Sequence, residues 1–170
     1  MNTEPTPELD KRFSDPEAVP TPWAVTATAL ERAELYWITT VRPNGRPHVT
    51  PLVGVADDGA VYFCTGLEEQ KARNLEQNEH VAITTGNNSW ASGLDVIVEG
   101  TAARVSDSES LKRLAAAYLA KYGSDWRFGV GDGVLTYEDA EIQAALFRVE
   151  PGKVLAFAKD PHAQTRYRLR

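Results

Sequence analysis

The stretch that decides the fold is LYWITTVRPNGRPHVTPLVGVADDGAVYFCTG, residues 35–66. Its first part, LYWITTV, is rich in aromatic and β-branched residues, which suit a pleated surface. RPNGRP follows. Pro43 presets φ for the first corner of a type I turn and Gly45 can take the positive φ of a bulge, so the chain reverses. HVTPLVGVA is the returning strand, DDG a second tight turn, and AVYFCT a third strand. These are three successive antiparallel strands.

Working outward, residues 1–22 are rich in proline and charge and poor in core formers, which predicts a flexible or surface-hugging N-terminal arm. The remaining residues, 23–170, form the expected folded domain. WAVTATALERAEL has helical spacing, with Ala27, Leu30, Ala33 and Glu34 following Trp23. Beyond the third strand, EEQKARNLEQN reads as a short helix and HVAITTG as a strand. LDVIVEGTAARV is a longer strand, in which Gly100 suggests a bulge or bend. SDSESLKRLAAAYLAKY is the strongest helix. Ser106 and Glu109 have capping-box spacing, and Leu111, Leu114, Ala115, Tyr118, Leu119 and Tyr122 form one apolar stripe. AALFRVE and KVLAFA read as two last strands around a Pro151–Gly152 turn. The whole is mainly β (α+β): six to seven short antiparallel strands in a small barrel with flanking helices. No βαβ order or internal repeat appears.

The 170 residues suit one domain or one protomer of a compact oligomer, and the net charge of −6 leaves no basic stripe for a nucleic-acid grip. No apolar run reaches membrane-spanning length and no charged-then-apolar leader opens the chain, so the expected location is cytoplasmic. The single cysteine, Cys64, sits in an apolar run and reads as a buried structural thiol rather than a nucleophile. His48, His80 and His162 lack partners at ligand spacing, so no metal site is expected. GVGDG lacks both the third glycine of a dinucleotide fingerprint and the strand–turn–helix context, and reads as a loop.

Two features leave alternatives open. On a helix, Lys71 and Asn74 share a face. Glu69 precedes Arg73 by four residues and Glu68 precedes Lys71 by three, so the segment is either a solvated charged face or a docking point for an anion. Pro51 interrupts a strand and removes a ladder donor. It marks either an ordinary edge strand or a strand flanked by a flat ligand.

Taken in order, TTVRPNGRPHVTPLVGV, DDGAVYFCTG, KARNLEQNEHVAITTG and VEGTAARV resemble the pyridoxamine 5′-phosphate oxidase-like family of split β-barrels, including its deazaflavin-dependent branch. The likeness covers about residues 35–105 well and the last strands more loosely. The resemblance implies a homodimer with FMN or the deazaflavin coenzyme F420 in a groove between protomers, acting on a small-molecule substrate. By position it implies that Thr39 and Thr40 lie near the cofactor on the first strand. His48, Val49, Thr50 and Pro51 then follow the edge of the ring, Thr65 lies near the phosphate, and Lys71 grips that phosphate with Asn74 beside it. Trp90 would reach the groove from the other protomer. Glu69 departs from the pattern, because deazaflavin binders often carry a basic residue there. The ending RYRLR does not reproduce that of true pyridoxamine phosphate oxidases, so oxidation of that vitamer is not the expected reaction. No catalytic acid or base is named; His48 is more readily structural or solvent-facing. The expectation is a flavin- or deazaflavin-dependent oxidoreductase. The rival is a non-catalytic module that sequesters a flavin, deazaflavin or haem-like ligand.

Overall fold

The computed structural model describes residues 4–137 and 142–169. In chain order the elements are β1 (Glu8–Leu9), α1 (Trp23–Arg32), β2 (Tyr36–Val41), β3 (Pro47–Leu52), β4 (Gly54–Asp57), β5 (Ala60–Gly66) and α2 (Gln70–Leu75). They continue with β6 (His80–Thr85), β7 (Leu94–Val105), α3 (Ser108–Tyr122), β8 (Phe128–Val130), β9 (Leu135–Tyr137), β10 (Gln143–Lys159) and β11 (His162–Arg168). The main path of the sheet runs β1-β11-β10-β7-β6-β2-β3, with β5 also on β10, β4 on β5, β9 on β10 and β8 on β9. Every ladder is antiparallel. This is the expected mainly β split barrel with flanking helices. It carries eleven strand segments among the described residues rather than six or seven.

Period-two alternation explains the barrel wall. Along β2, Tyr36, Ile38 and Thr40 are buried while Trp37 is exposed and Thr39 and Val41 are half-buried. Tyr36 and Ile38 of this set join Phe63, Ile83, Val96, Val98, Val149 and Tyr167 in the barrel core. A second core lies on the far side of β5, where Leu111, Leu114, Ala115 and Tyr118 of α3 meet Tyr62, Phe128 and Leu146. The β2–β3 turn follows the expected geometry: Gly45 has φ +80° and its N–H donates to the carbonyl of Arg42 at 2.8 Å. Residues 1–3 of the N-terminal stretch lie outside the described residues. The rest runs along β11, where Asp10 N–H donates to Gln164 O at 2.8 Å and Thr21 N–H to Thr165 Oγ1 at 2.9 Å.

Four local expectations need correction. The returning strand breaks at Val53 into β3 and β4. At Gly54 the backbone leaves the β2 ladder, and α3 takes up its polar groups. Tyr122 and Lys121 both donate to the Gly54 carbonyl, at 2.7 and 2.8 Å, and Gly54 N–H donates to Tyr122 Oη at 3.1 Å. The expected turn at Pro151–Gly152 is instead a bulge within one continuous strand, β10. Gly100 permits this, because a Cβ there would lie 2.1 Å from the Glu150 carbonyl oxygen. The cap of α3 is Asp107 rather than Ser106, its carboxylate accepting from Ser110 N–H at 2.8 Å. Finally, GVGDG is not all loop. It contains the end of β8 and the turn into β9, closed by Gly131 N–H donating to Val134 O at 2.9 Å.

Candidate functional site

The site is built where β5 stops. Glu69 N–H donates to the Gly66 carbonyl at 3.1 Å, and the chain then enters α2 with Glu69 as the extended residue before it, at φ −71° and ψ 149°. That boundary decides the ion pairs. Glu69 is the N-cap, its carbonyl accepting from Arg73 N–H one turn on at 3.1 Å, but its side chain is turned away from Arg73 and folds over Lys71. Arg73 pairs with Glu68 at 2.6 Å, both of them well exposed. The expected Glu69–Arg73 pairing is therefore exchanged for Glu69–Lys71 and Glu68–Arg73. The solvated-face description suits Arg73 but not Lys71, which is only 6% exposed.

Around Lys71 the polar groups are tied to one another. Asn74, fully buried, donates from Nδ2 to Thr40 Oγ1 at 2.8 Å and accepts at Oδ1 from Gln70 Nε2 at 2.8 Å. The amide thus fastens α2 to β2. Thr40 Oγ1 also lies 3.4 Å from His48 Nδ1, across the β2–β3 ladder where the two residues are paired. Burial, then the charges of Arg42 and Lys71, push the His48 pKa down, which favours the neutral ring. Thr65 is buried at the end of β5 and donates from Oγ1 to Gly66 O at 3.3 Å. The Glu69 carboxylate accepts from Gly66 N–H at 2.9 Å and from Lys71 Nζ. Burial pushes its pKa up, but the hydrogen bonds from Lys71 and Gly66 outweigh this and hold it below the ordinary carboxylate value.

Pleating divides the remaining candidates between two faces. Thr39, Val49 and Pro51 share one face of β2–β3 with Trp37, while Thr40, His48 and Thr50 share the other with Ile38. Among the described residues β3 pairs only with β2, so its outer edge is free and Pro51 sits on an edge strand, where a missing donor is tolerated. Thr50 Oγ1 stands out: it is the one buried side-chain polar atom among the described residues without a hydrogen-bond partner. Trp90 is not brought to this cluster within its own chain. It is 83% exposed, its ring 5.4 Å from that of His162. It lines a groove of about 870 Å³ with Phe13, Trp37 and Phe157.

Sequence reasoning assigned no site role to Gln70, Gly66 or Arg42. Only the amide of Gln70, four residues before Asn74, was detectable from spacing. Cys64 is a structural thiol: burial pushes its pKa up to about 11, which suppresses the thiolate. The arrangement offers one ammonium, the hydroxyls of Thr40, Thr50 and Thr65, and an imidazole beside a free strand edge. Such a set can hold an anionic group at one end and a flat polar ring at the other. The unpartnered Thr50 hydroxyl fits that use, and the donor set is compatible with a flavin phosphate once Lys71 is released from Glu69.

A family model described as pyridoxamine 5′-phosphate oxidase matches residues 24–157. A Crocosphaera subtropica protein named pyridoxine/pyridoxamine 5′-phosphate oxidase is 33% identical over 93 residues, which make up 52% of this chain and 42% of that protein. The match thus spans less than half the length of that curated relative. Two solved structures share the fold at low identity. The heme binding protein of Mycobacterium smegmatis superposes with a TM-score of 0.69 at 15% identity, covering 88% of this chain and 60% of that one. A pyridoxamine 5′-phosphate oxidase-related, FMN binding protein of Nostoc punctiforme gives 0.59 at 19% identity, covering 90% and 94%.

Proposed function

Because the chain belongs to the pyridoxamine 5′-phosphate oxidase family, we propose that it is a homodimeric oxidoreductase that uses FMN or a deazaflavin with a small organic substrate. The observation that carries this reading is the placement of Lys71. It is a nearly buried cation at the end of a barrel strand, beside Thr65 and the Thr40–His48 pair. A bound flavin or deazaflavin supplies the hydride chemistry. Lys71 holds its anionic end, with the Thr65 hydroxyl beside it, and Asn74 sets the position of Lys71 by tying α2 to β2. Val49, Thr50 and Pro51 lie along the ring, where the free edge of β3 and the Thr50 hydroxyl supply hydrogen bonds. Thr39 stands on the outer face of β2, where the substrate approaches. A second protomer covers the exposed Trp37 and Val49, and each Trp90 reaches toward the partner's groove. The proposed location is the cytoplasm; among the described residues no helix is long and apolar enough to cross a membrane.

The test is titration of the purified protein with FMN and with the deazaflavin coenzyme, followed by fluorescence, then oxidation of the reduced cofactor with a panel of acceptors. Binding of one cofactor with turnover of an acceptor is expected. A colourless protein with no affinity for either refutes the proposal. The second reading is a non-catalytic module binding a flavin, deazaflavin or haem. It is favoured by the fold shared with the mycobacterial heme binding protein and by the lack of a poised acid or base in the cluster. Tight binding with no electron transfer to any acceptor would establish it.

A further inference from the structure

Two donors converge on Glu69 rather than on open space. Its Oε1 accepts from Gly66 N–H at 2.9 Å and its Oε2 accepts from Lys71 Nζ. The layering is ordered. The Lys71 side chain is 8% exposed and that of Glu69 52%, so the carboxylate is the outer layer and the ammonium the inner one. The ammonium and the backbone N–H form a donor pair that a phosphate oxygen would take. Here a two-oxygen anion from the chain itself already occupies it.

We propose that Glu69 is a resident competitor for the anion site at Lys71, a specificity-determining residue that weakens selection for phosphate-bearing cofactors. The inference rests on the reading of Lys71 as the anion anchor. Lys71 and Glu69 together carry no net charge, and the next cation on the helix, Arg73, is engaged by Glu68. An arriving phosphate therefore meets a neutral pair and must turn the carboxylate aside. Half exposure lets Glu69 swing into water, so phosphate is penalised but not excluded. The flavin ring binds without this penalty, because it lies along β3. The wild-type preference for FMN over riboflavin is therefore smaller than an unguarded Lys71 would give.

The experiment measures binding of FMN and of riboflavin to wild type and to Glu69→Gln by flavin fluorescence. In parallel, inorganic phosphate is titrated against both proteins while the Lys71 Nζ resonance is followed by NMR. The amide keeps the size of the side chain and an acceptor for Gly66 N–H but removes the competing charge. The expected result is a gain of about tenfold or more in FMN affinity with riboflavin unchanged, and phosphate perturbing Lys71 at lower concentration in the variant. Glu69→Ala provides a second variant with the same expected direction. An unchanged FMN-to-riboflavin ratio, or equal tightening of both, overturns the inference. If neither flavin binds either protein, the cofactor reading fails and the phosphate titration still decides. Stronger phosphate binding at Lys71 in Glu69→Gln supports the competitor role, and none in either protein overturns it.

Discussion

Replacing Lys71 with methionine separates a binding role from a folding role, because the two predict different sizes of effect. Removing one member of a buried ion pair usually costs about 3–5 kcal/mol, since the other charge is stranded. Here the partner is not stranded. Glu69 is 52% exposed and keeps its bond from Gly66 N–H, so after the substitution it is hydrated rather than buried. Methionine fills most of the volume of the lysine stem, whose side chain is only 8% exposed. The expected change in unfolding free energy, from urea titration of the ligand-free protein, is therefore within about 1 kcal/mol, as for an exposed pair. Cofactor binding should respond differently. A charged hydrogen bond to phosphate is worth about 1.5–3 kcal/mol, so FMN affinity should fall roughly 10- to 100-fold while riboflavin affinity stays level. The readout is quenching of flavin fluorescence across a titration of each protein. A loss of stability above about 3 kcal/mol would show that Lys71 is a structural cation, in the manner of other buried pairs. An FMN affinity equal to that of wild type would remove Lys71 from the site altogether.

Asn74→Ala should lose about 2–4 kcal/mol of stability in urea. It deletes two hydrogen bonds of 2.8 Å and leaves the buried Thr40 hydroxyl with only its long contacts to His48; a loss under about 0.5 kcal/mol would mean that α2 is held by other means. Gly100→Ala should lower stability by at least about 1–3 kcal/mol, because its Cβ would press on the Glu150 carbonyl and force β10 or β7 to shift. A neutral result in thermal melts would contradict the close approach of the two strands. Lys121 gives a pH test. Burial pulls its pKa down to about 8 against the opposing charge of Glu34, so between pH 8 and the ordinary lysine value the unfolded chain binds more protons than the folded one. Its contribution to stability therefore rises with pH from about 8 upward. Cys64 and the buried tyrosines, whose pKa values burial raises, pull the other way at higher pH in both proteins. The difference between wild type and Lys121→Met, read between about pH 8 and 9.5 below the range of the raised Cys64 and tyrosine values, isolates the rise; a flat difference would refute the lysine's assignment.

What was legible in the sequence was what neighbouring residues decide. The β2–β3 turn is written in Pro43 and Gly45, the β4–β5 turn in Asp58 and Gly59, and the buried face of α3 in the spacing of Leu111, Leu114, Ala115 and Tyr118. What was not legible depended on distant partners. Gly54 breaks its strand because Tyr122 and Lys121, on α3, claim its backbone groups. Pro151 and Gly152 form a bulge rather than a turn because β7 supplies a glycine opposite them. Trp90 stands away from Lys71 because it follows β6 in a loop held by Lys159, whose ammonium donates to the carbonyls of Asn87 and Ser89 at 2.7 and 2.6 Å.

The Lys71 cluster lies between these cases. Its residue types were visible, but the pairing of its charges turned on one boundary. As the N-cap, Glu69 stands a turn below Arg73, the favoured order for an exposed helical pair, and its carbonyl accepts from Arg73 N–H at 3.1 Å. Its carboxylate instead lies over Lys71 and beside Gly66 N–H. The direction taken by one side chain at a helix cap thus separates a solvated ion pair from a guarded anion site, with Arg73 left to Glu68. Spacing alone is weakest at such boundaries, where an extended residue and a helical one differ by a single backbone ψ.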